Sequence, residues 1–368
     1  MLRVILTTGG TGGHVFPALA VAEELKKQVK DVEILFLGGR YGLEQHWVRE
    51  AGIEFAGLPV QGVLGRGMRS VGALVAMGVS VVEAISILRE FKPHAIIGFG
   101  GYASFAGVCT GILCRYPTLI HEQNAVPGLA NRALSLFVRR ICLAMPDVNK
   151  KFSTKKISLT GNPVRSEIAA LPEKKYQGKT KRLLIMGGSQ GAKSINEAII
   201  HNLAEFKEAG VEIWHQTGNA DYVAAREAYE KLDWPKNKAP QVLCFIDDVA
   251  KAYDWADLVV CRSGASTVAE LAVAGIPSVL VPFPYATHNH QLYNAKYLAD
   301  GGGAVIVEDK KLQAENFAST VLDLLNDPAK LSEMSKAARA LSSQDAAAKV
   351  VKCIQEALPS QLRQEIWP

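Results

Sequence analysis

One arrangement occurs twice along this 368-residue chain and constrains its fold more than any other feature. A continuous apolar run, LRVILTT at 2–8, precedes a glycine-rich turn and then PALAVAEELKK at 17–27, whose apolar residues have helical spacing. The same order of strand, glycine turn and helix returns in RLLIMGGSQGAKSIN at 182–196. Apolar strands buried on both faces and followed by helices are typical of βαβ units in a parallel sheet. The repeat therefore predicts an α/β chain with two similar halves.

The alternation of strands and helices continues through both halves. Further apolar runs occur at 32–39, 94–101, 118–123, 139–145, 211–218, 241–248, 257–264 and 277–284, with helical patterns at 71–91 and 312–358. A chain of this length exceeds the size at which one hydrophobic core is favourable. ALPEKKYQGKTK at 170–181 is polar and bracketed by proline and glycine, which indicates a linker. We predict Rossmann-like domains at 1–163 and 164–343, with the helical segment 344–368 returning to the first.

Composition and charge exclude several classes of function. The formal net charge is +5, a balance that suits acidic ligands or an anionic membrane surface and is too weak to indicate nucleic acid as a partner. Six scattered cysteines without a CxxC pair favour reduced thiols in a cytosolic protein: Cys109, Cys114, Cys142, Cys244, Cys261 and Cys353. No signal peptide is expected, and the apolar stretch 71–88 is interrupted by Glu83, so we expect a cytoplasmic protein without a membrane-spanning helix.

Three glycine turns follow apolar strands, at Gly9–Gly13, Gly98–Gly101 and Gly187–Gly191. Glycine lets the backbone approach a ligand closely, and the next helix offers unpaired N–H groups at its positive end. One such turn is equally consistent with packing alone. Three of them at strand ends in two similar halves favour binding of a diphosphate.

The sequence departs from two nucleotide-binding motifs at positions that each motif requires. A dinucleotide-binding turn requires a third glycine where Val15 stands, and the second predicted strand ends in FLGG without an acid for a ribose. GGSQGAKS at 187–194 resembles a P-loop, but Ala192 replaces a required glycine and its Cβ obstructs the phosphate wrap. NAD binding and ATP hydrolysis are therefore not expected.

The segment of the second half with the most candidate binding residues is CRSGASTVAELAVAGIPSVLVPFP at 261–284. Its turn at 263–267 is a candidate anion site at a helix start, and Glu270, one helical turn after Ser266, can accept both hydroxyls of a ribose. The alternative for Glu270 is a capping role. THNHQLYNA at 287–295 adds amides and imidazoles suited to sugar hydroxyls. No carboxylates accompany these imidazoles, so we expect no protein-bound metal.

The first half contributes two further polar segments. HEQNAVPGLANR at 121–132 begins with four hydrogen-bonding residues at the end of a predicted strand, where α/β sheets bind ligands. GNPVR at 161–165 closes the domain, and Arg165 is a candidate phosphate ligand in an interdomain cleft.

Together these motifs resemble the MurG family of glycosyltransferase family 28. The matching segments, in order from residue 9 to 295, are GGTGGHVFPALAVAEEL, GFGGYAS, HEQNAVPGLANR, GNPVR, MGGSQGA, RSGASTVAEL and NHQLYNA. The resemblance implies the GT-B fold, two Rossmann-like domains with parallel sheets facing across a deep cleft. It also implies inverting transfer of N-acetylglucosamine from UDP-GlcNAc to the 4-hydroxyl of MurNAc in undecaprenyl-diphospho-MurNAc-pentapeptide (lipid I), giving lipid II of peptidoglycan. No cofactor is implied.

The resemblance also implies site residues in each domain. For the donor these are Ser189 and Gln190 near the diphosphate, Ile246 at the uracil, Ala265, Ser266 and Thr267 at the diphosphate, Glu270 at the ribose and Gln291 at the sugar. From the first domain come Thr11, Gly12, Gly13, Asn124 and Arg165. The sequence departs from the family pattern at Ser104-Phe105-Ala106, beside the acceptor, and at Thr287, beside the sugar contacts.

Transfer to a hydroxyl requires a base, and His14 at the rim of the first glycine turn is the candidate. An imidazole accepts a proton near neutral pH. We predict that His14 is the general base or a hydrogen-bond partner of the acceptor; the alternative is a histidine that caps the helix or holds the loop. Arg165 and the helix start at 263–267 are expected to stabilise charge on departing UDP.

The lipid acceptor implies contact with the membrane. Residues 63–88 combine Arg66 and Arg69 with an apolar helical pattern, and Arg139 and Arg140 add positive charge, so we expect peripheral binding at the cytoplasmic face of the inner membrane. An ordinary core helix is the alternative for this stretch. The functional alternatives are another GT-B UDP-sugar transferase with a lipid or natural-product acceptor, a UDP-GlcNAc 2-epimerase, or a non-catalytic UDP-sugar-binding subunit.

Overall fold

The computed structural model describes residues 1–10, 12–42, 44–60, 70–147, 150–178, 180–188, 191–235, 238–313 and 317–367. The chain forms two compact units. Unit 1 comprises Met1–Arg165 together with Ser343–Pro368, and unit 2 comprises Ser166–Ser342.

Each unit is built on one parallel sheet. The strands of unit 1 are β1 Leu2–Thr7, β2 Val32–Gly39, β3 Glu54–Leu58, β4 Ala95–Gly98, β5 Thr118–Glu122, β6 Arg140–Leu143 and β7 Ile157–Leu159. Those of unit 2 are β8 Arg182–Met186, β9 Glu212–Gln216, β10 Gln241–Leu243, β11 Leu258–Cys261, β12 Ser278–Leu280 and β13 Ala304–Ile306. The strand orders are β3-β2-β1-β4-β5-β6-β7 and β10-β9-β8-β11-β12-β13. The predicted fold class, two Rossmann-like domains with parallel sheets, is confirmed.

Helices connect the strands. In unit 1 they are α1 Gly12–Gln28, α2 Glu44–Glu50, α3 Ser70–Phe91, α4 Gly101–Leu113 and α5 Leu129–Leu134. In unit 2 they are α6 Ser166–Ala169, α7 Lys193–His201, α8 Leu203–Glu208, α9 Tyr222–Glu230, α10 Val249–Trp255, α11 Ala265–Ala274, α12 His290–Asp300, α13 Phe317–Leu325 and α14 Pro328–Ala340. The chain then returns to unit 1 with α15 Ala346–Ala357 and α16 Ser360–Ile366.

The core of unit 1 lies on both faces of its sheet because side chains alternate along each strand. Val4 and Leu6 share one buried cluster with Val21 of α1 and Ile354 of α15. Ile5 points the other way, into a second buried cluster formed with α3 and α4. The C-terminal helix α15 therefore covers one face of the sheet that the N-terminal strand begins.

The two sheets share the strand order that defines a Rossmann-type switch point. In unit 1 the direction of winding reverses between β1 and β4, and in unit 2 it reverses between β8 and β11. Loops that leave the carboxyl ends of these strands diverge there and open a crevice for ligands. The turns after β1 and β4, and those after β8 and β11, are consequently the candidate ligand-binding sites.

The sequence placed one important boundary wrongly. The first helix was predicted from residue 17, whereas α1 begins at Gly12, so His14 lies in its first turn rather than at the rim of a loop. Glycine is a poor helix former, and the start was hidden behind Gly12 and Gly13. The predicted helix near 71–91 corresponds to α3, but Arg66 and Arg69 lie outside the described residues. Within the described chain, no helix is long and apolar enough to cross a bilayer.

The six cysteines are free thiols. Cys142, Cys261 and Cys353 are buried, and the other three are half-buried.

Candidate active site

The two glycine turns of unit 1 pack against each other, backbone to backbone. The N–H of Gly9 donates to the carbonyl of Gly100 at 3.3 Å, and the hydroxyl of Thr8 donates to the same oxygen at 3.0 Å. Gly101 has φ +84°, and a Cβ added there would lie only 2.2 Å from the carbonyl oxygen of Gly9. Only glycine fits that position, which explains the glycine density after β4.

Two helices begin where these turns meet. α1 starts at Gly12 and α4 at Gly101, and the residue before α4, Gly100, provides no side-chain cap. The first N–H groups of both helices thus converge at the switch point between β1 and β4. Helix starts of this kind favour anions through their unpaired donors and dipoles.

His14 lies over this junction. A Cβ added to Gly100 would be 3.1 Å from Cε1 and 3.2 Å from Nδ1 of the His14 imidazole, so the ring rests against the second glycine turn. The side chain is half-buried. The first turn of α1 and the absence of a side chain at Gly100 together determine where the imidazole lies.

A second histidine, His121 on β5, lies buried behind the first. Burial, partly opposed by a hydrogen bond to Gly161, lowers the pKa of His121 to about 4, and a smaller contribution comes from His14. His121 is therefore neutral at physiological pH, and Nε2 carries the proton because it lies 3.1 Å from the carbonyl oxygen of Gly161. Gln123, two residues on, donates to the carbonyl of Phe99 at 2.7 Å and so ties β5 to the turn after β4.

Glu122 organises the loop that contains Asn124. Its buried carboxylate accepts from the backbone N–H of Asn124 and of Gly128, each at 3.0 Å, and from the side-chain amide of Asn131 at 2.9 Å. The side-chain amide of Asn124 also donates to it at 3.3 Å. Glu122, one of the four polar residues predicted at this strand end, acts on the loop itself and holds Asn124 in place.

Arg165 lies beside α1. Its guanidinium carbon is 4.5 Å from the centroid of the Phe16 ring, a cation–π arrangement. Phe16 is two residues beyond His14, so Arg165 is close to the helix start that carries the imidazole. Of the other residues predicted for this domain, Gly12 and Gly13 form the first turn of α1, and Thr11 lies outside the described residues.

The first residue of α2 is a carboxylate that the sequence pattern did not identify. Glu44 is buried and accepts from the N–H of Gly39 at 2.8 Å. A Cβ added to Gly9 would be 3.5 Å from the same oxygen, so the carboxylate lies near the first glycine turn. Four residues separate Glu44 from the strand end at Gly39, which is why the strand-end pattern missed it.

Unit 2 has a pocket of about 690 Å³ at its own switch point. The turn after β8 lines it with Gly187, Gly188 and Gly191, and Thr267 and Gln291 line it from α11 and α12. Gly191 has φ +76°, and a Cβ there would lie 2.3 Å from the carbonyl oxygen of Thr217. Ser189 and Gln190, predicted for this turn, lie outside the described residues.

The start of α11 faces the pocket through Gly264 and Thr267. Gly264 precedes the helix in an extended conformation and offers no side-chain cap. The hydroxyl of Ser263 donates to the carbonyl of Gln291 at 2.8 Å, which links α11 to α12. Of the two other predicted residues in this turn, Ala265 is buried and Ser266 is half-buried.

Glu270 and Ile246 lie outside the lining of this pocket. Glu270 is buried on α11, and its carboxylate accepts from the hydroxyl of Tyr253 at 3.2 Å. Ile246 is buried in the loop after β10. Thr267 and Gln291 thus line one cavity together, whereas Glu270 and Ile246 do not line it.

A charged network that sequence reasoning missed supports one wall of the pocket. Arg262, directly after β11, donates to the carboxylate of Asp309 and, at 2.8 Å, to the hydroxyl of Ser194. Ser194 in turn donates to Asp309 at 2.8 Å. An arginine ending an apolar strand was the available signal, but its partners lie 47 and 68 residues away in the chain.

Gln216 at the end of β9 was also missed. Its side-chain oxygen accepts from the N–H of Gly187 at 3.1 Å, and its amide donates to the carbonyls of Gly188 at 2.9 Å and Cys244 at 3.1 Å. One side chain thus fixes the glycine turn after β8 and the loop after β10. The signal was a polar residue closing the apolar run VEIWHQ.

His288 lies in a tight turn before α12, and His290 is the first residue of that helix. His288 and Asn289 have φ +53° and +54°, and Nδ1 of His290 lies 2.8 Å from the carbonyl oxygen of Thr287. Among the residues that the structure describes, no group of three or more His, Cys, Asp or Glu side chains could hold a metal ion.

Two parallel-sheet domains with glycine turns at matching switch points are the domains from which GT-B glycosyltransferases are built. The family 28 C-terminal domain of glycosyltransferases matches residues 182–350, and the family 28 N-terminal domain matches 4–143. The chain belongs to glycosyltransferase family 28.

Two curated relatives share one name. A protein of Nitratidesulfovibrio vulgaris is 51% identical to this chain, and the match covers 95% of this chain and 96% of the relative. That protein is named UDP-N-acetylglucosamine--N-acetylmuramyl-(pentapeptide) pyrophosphoryl-undecaprenol N-acetylglucosamine transferase. A Lawsonia intracellularis protein of the same name is 44% identical, with 94% of both chains covered. The crystal structure of Acinetobacter baumannii MurG has a TM-score of 0.77 and 36% identity, covering 97% of this chain and 100% of its own.

Proposed function

We propose that this protein transfers N-acetylglucosamine from UDP-GlcNAc to the 4-hydroxyl of MurNAc in lipid I, with inversion, to give lipid II. The observation that carries the proposal is the pair of glycine switch points in a chain of family 28, one with an imidazole and one with a pocket. Relatives of up to 51% identity named for this reaction support it.

In this proposal unit 2 binds the donor. Along the carboxyl edge of its sheet, Ile246 follows β10, the first turn of α11 follows β11, and Gln291 lies beyond β12. This order matches the order of uracil, diphosphate and sugar in UDP-GlcNAc. The uncapped start of α11, with Ala265, Ser266 and Thr267, suits the diphosphate. Ser189 and Gln190 are proposed for the same group.

Glu270 is proposed for the ribose. It lies one helical turn beyond the start of α11, between the uracil and diphosphate positions, and the Tyr253 hydroxyl orients its carboxylate. An ionised carboxylate accepts hydrogen bonds at both oxygens and so suits two vicinal hydroxyls.

Unit 1 provides the acceptor side and the base. His14 accepts the proton of the MurNAc 4-hydroxyl while that oxygen bonds to C1 of GlcNAc and the C1–oxygen bond to UDP breaks on the opposite face. The helix starts at Gly12 and Gly101 suit the acceptor diphosphate, with Asn124 and Arg165 beside them. The start of α11 stabilises the negative charge that develops on UDP.

Membrane contact through unit 1 is part of the proposal. Phe137, 67% exposed, and Leu136 form an apolar tip after α5, and Lys156 donates to the carbonyl of Leu136 at 2.7 Å. Exposed apolar residues with a basic rim suit peripheral binding to an anionic bilayer at the cytoplasmic face. We expect Phe137→Glu to reduce sedimentation with phosphatidylglycerol vesicles several-fold, whereas Val223→Glu on unit 2 leaves it unchanged. Equal losses in both variants would contradict this surface.

The proposed reaction is tested with radiolabelled UDP-GlcNAc and a lipid I analogue with a shortened polyprenyl chain. We expect one UDP and one β-1,4-linked GlcNAc product per turnover, and no labelled product when the acceptor is omitted. Formation of UDP-ManNAc without acceptor would indicate an epimerase, and binding of UDP-GlcNAc without turnover would indicate a binding subunit. Either result would refute the proposal.

A further inference from the structure

Two aromatic side chains line the mouth of the pocket in unit 2 and are exposed there. Phe283 and Tyr285 belong to the loop after β12 and are 41% and 85% exposed. Their ring centroids are 5.6 Å apart, with the planes at 71°, an edge-to-face pair. Aromatic rings normally contribute by burying large apolar areas. An exposed aromatic pair at the mouth of a pocket therefore indicates a surface on which a bound ligand packs.

The pair is fixed in place by the pocket wall. The N–H of Phe283 donates to the side-chain oxygen of Gln291 at 3.0 Å, and the guanidinium carbon of Arg262 is 5.4 Å from the Phe283 ring centroid. The loop then enters α12 through two successive left-handed residues, His288 and Asn289. Left-handed backbone in residues other than glycine is uncommon and marks a loop held in one conformation.

The position of the pair along the sheet identifies which part of a ligand it would meet. The loop after β12 lies on the far side of β11 from the loop after β10, where Ile246 is found. If the nucleotide base lies towards β10 and the diphosphate at α11, the group beyond the diphosphate extends towards β12. Phe283 and Tyr285 lie at that end, beside Gln291.

We propose that Phe283 and Tyr285 form an aromatic platform for the pyranose ring of the donor and contribute to selection of the UDP-sugar over UDP. This inference rests on the proposed donor site of unit 2. A hexopyranose with equatorial hydroxyls presents an apolar C–H face, which packs on an aromatic ring while its hydroxyls bond to amides such as that of Gln291. Tyr285 adds a hydroxyl at the rim of the stack.

The test compares binding of UDP-GlcNAc and UDP by isothermal titration calorimetry in Tyr285→Ala and Phe283→Leu. We expect the Kd of UDP-GlcNAc to rise about fivefold in Tyr285→Ala, which corresponds to about 1 kcal/mol, with the Kd of UDP unchanged. Tyr293→Ala is the matched control, because Tyr293 is also an exposed aromatic, on α12, and does not line the pocket. An unchanged Kd of UDP-GlcNAc in Tyr285→Ala, or equal weakening of both ligands, would overturn the inference.

A transfer assay on the same variants separates this inference from the proposed function. Normal transfer by the wild type together with an unaltered KM for UDP-GlcNAc in Tyr285→Ala would refute the platform and leave the function standing. Absence of transfer by the wild type, with UDP-GlcNAc binding that depends on Tyr285, would refute the function and support the platform.

Discussion

The switch points of the two units have the same topology and carry different chemistry. In unit 1 the imidazole of His14 rests on the second glycine turn, with neutral His121 buried behind it. In unit 2 the corresponding turn is held by the amide of Gln216, and the wall beside it by Arg262 and Asp309. The strand–turn–helix geometry places helix N-termini at both switch points, an arrangement that favours anions. The side chains added to it suit the first to proton transfer and the second to binding.

The two turns are also stabilised differently. In unit 1 the turns after β1 and β4 contact each other through main-chain atoms, and Gly101 has no room for a side chain. In unit 2 a side chain, Gln216, bridges the turn after β8 and the loop after β10. Added volume should disturb both turns, because a Cβ at Gly191 would also lie only 2.3 Å from the carbonyl oxygen of Thr217. The turn after β8 should in addition be sensitive to loss of the Gln216 hydrogen bonds.

Gly101→Ala is expected to have the largest effect among these tests. The Cβ would meet the Gly9 carbonyl and the backbone has positive φ, so the junction under His14 must shift. We expect transfer to fall about a hundredfold or more, since small misplacements of catalytic groups have effects of this size. The Kd of UDP-GlcNAc should remain unchanged.

Gly78→Ala is the matched control for this substitution. Gly78 lies within α3, and a Cβ there meets nothing within 4 Å. It should stabilise the protein by about 0.5–1 kcal/mol, measured by urea unfolding, without altering transfer. Near-normal transfer by Gly101→Ala would show that the junction does not position the reacting groups.

Gln216→Leu should have an intermediate effect, confined to the donor. The change removes the side-chain hydrogen bonds to the Gly187 N–H and to the carbonyls of Gly188 and Cys244, each worth about 0.5–1.5 kcal/mol, while all three groups keep a main-chain partner. We expect the Kd of UDP-GlcNAc to rise about tenfold to a hundredfold, measured by calorimetry. Gln216→Glu, which keeps an acceptor oxygen for the Gly187 N–H, should raise the Kd of UDP-GlcNAc less than Gln216→Leu does. A normal Kd in Gln216→Leu would remove the distinction drawn between the two turns.

A further comparison between the units concerns two buried histidines, one in each unit. Burial lowers the pKa of His121 to about 4 and that of His215 to about 3. The unfolded chain binds protons at both sites below about pH 6.5, so the free energy of unfolding should fall as pH drops from there towards 4. The expected slope is about 1.4 kcal/mol per pH unit for each histidine.

Urea unfolding between pH 7 and 4.5 measures this slope. His121→Gln and His215→Gln should each make the pH dependence shallower, because the titrating group is removed. His46→Gln, a change on the exposed surface of α2, should leave the dependence as it is. Identical slopes in all three variants would show that the buried imidazoles do not govern acid stability.

The fold could be predicted from the sequence because the pattern that indicates it, an apolar strand followed by a helix, lies within short segments of the chain. Continuous apolar runs followed by helical spacing identify buried parallel strands, and the restart at 182 identifies the second domain's sheet. The family and its enzyme class are also confirmed, since the matching motifs run through most of the chain. The start of α1 was missed because glycine propensity is overridden there by packing of the two turns.

The supporting contacts of the site could not be predicted from local pattern. Arg262 and Asp309 are 47 residues apart, and Gln216 contacts turns on either side of it in the sheet. Such pairs depend on the order of strands, which alternation alone does not determine. The assignments of Glu270 to the ribose and of His14 to the acceptor remain predictions.

The pH dependence of transfer in His14→Gln tests the central claim, that unit 1 performs the proton transfer and unit 2 holds the donor. The measurement is kcat from pH 5 to 9 at saturating UDP-GlcNAc and lipid I analogue, for wild type and variant. We predict that kcat falls about a hundredfold or more, as expected on losing a general base, that the acidic limb of the profile disappears, and that the KM of UDP-GlcNAc is unchanged. Near-normal kcat with the wild-type profile would contradict the assignment of His14 as the base.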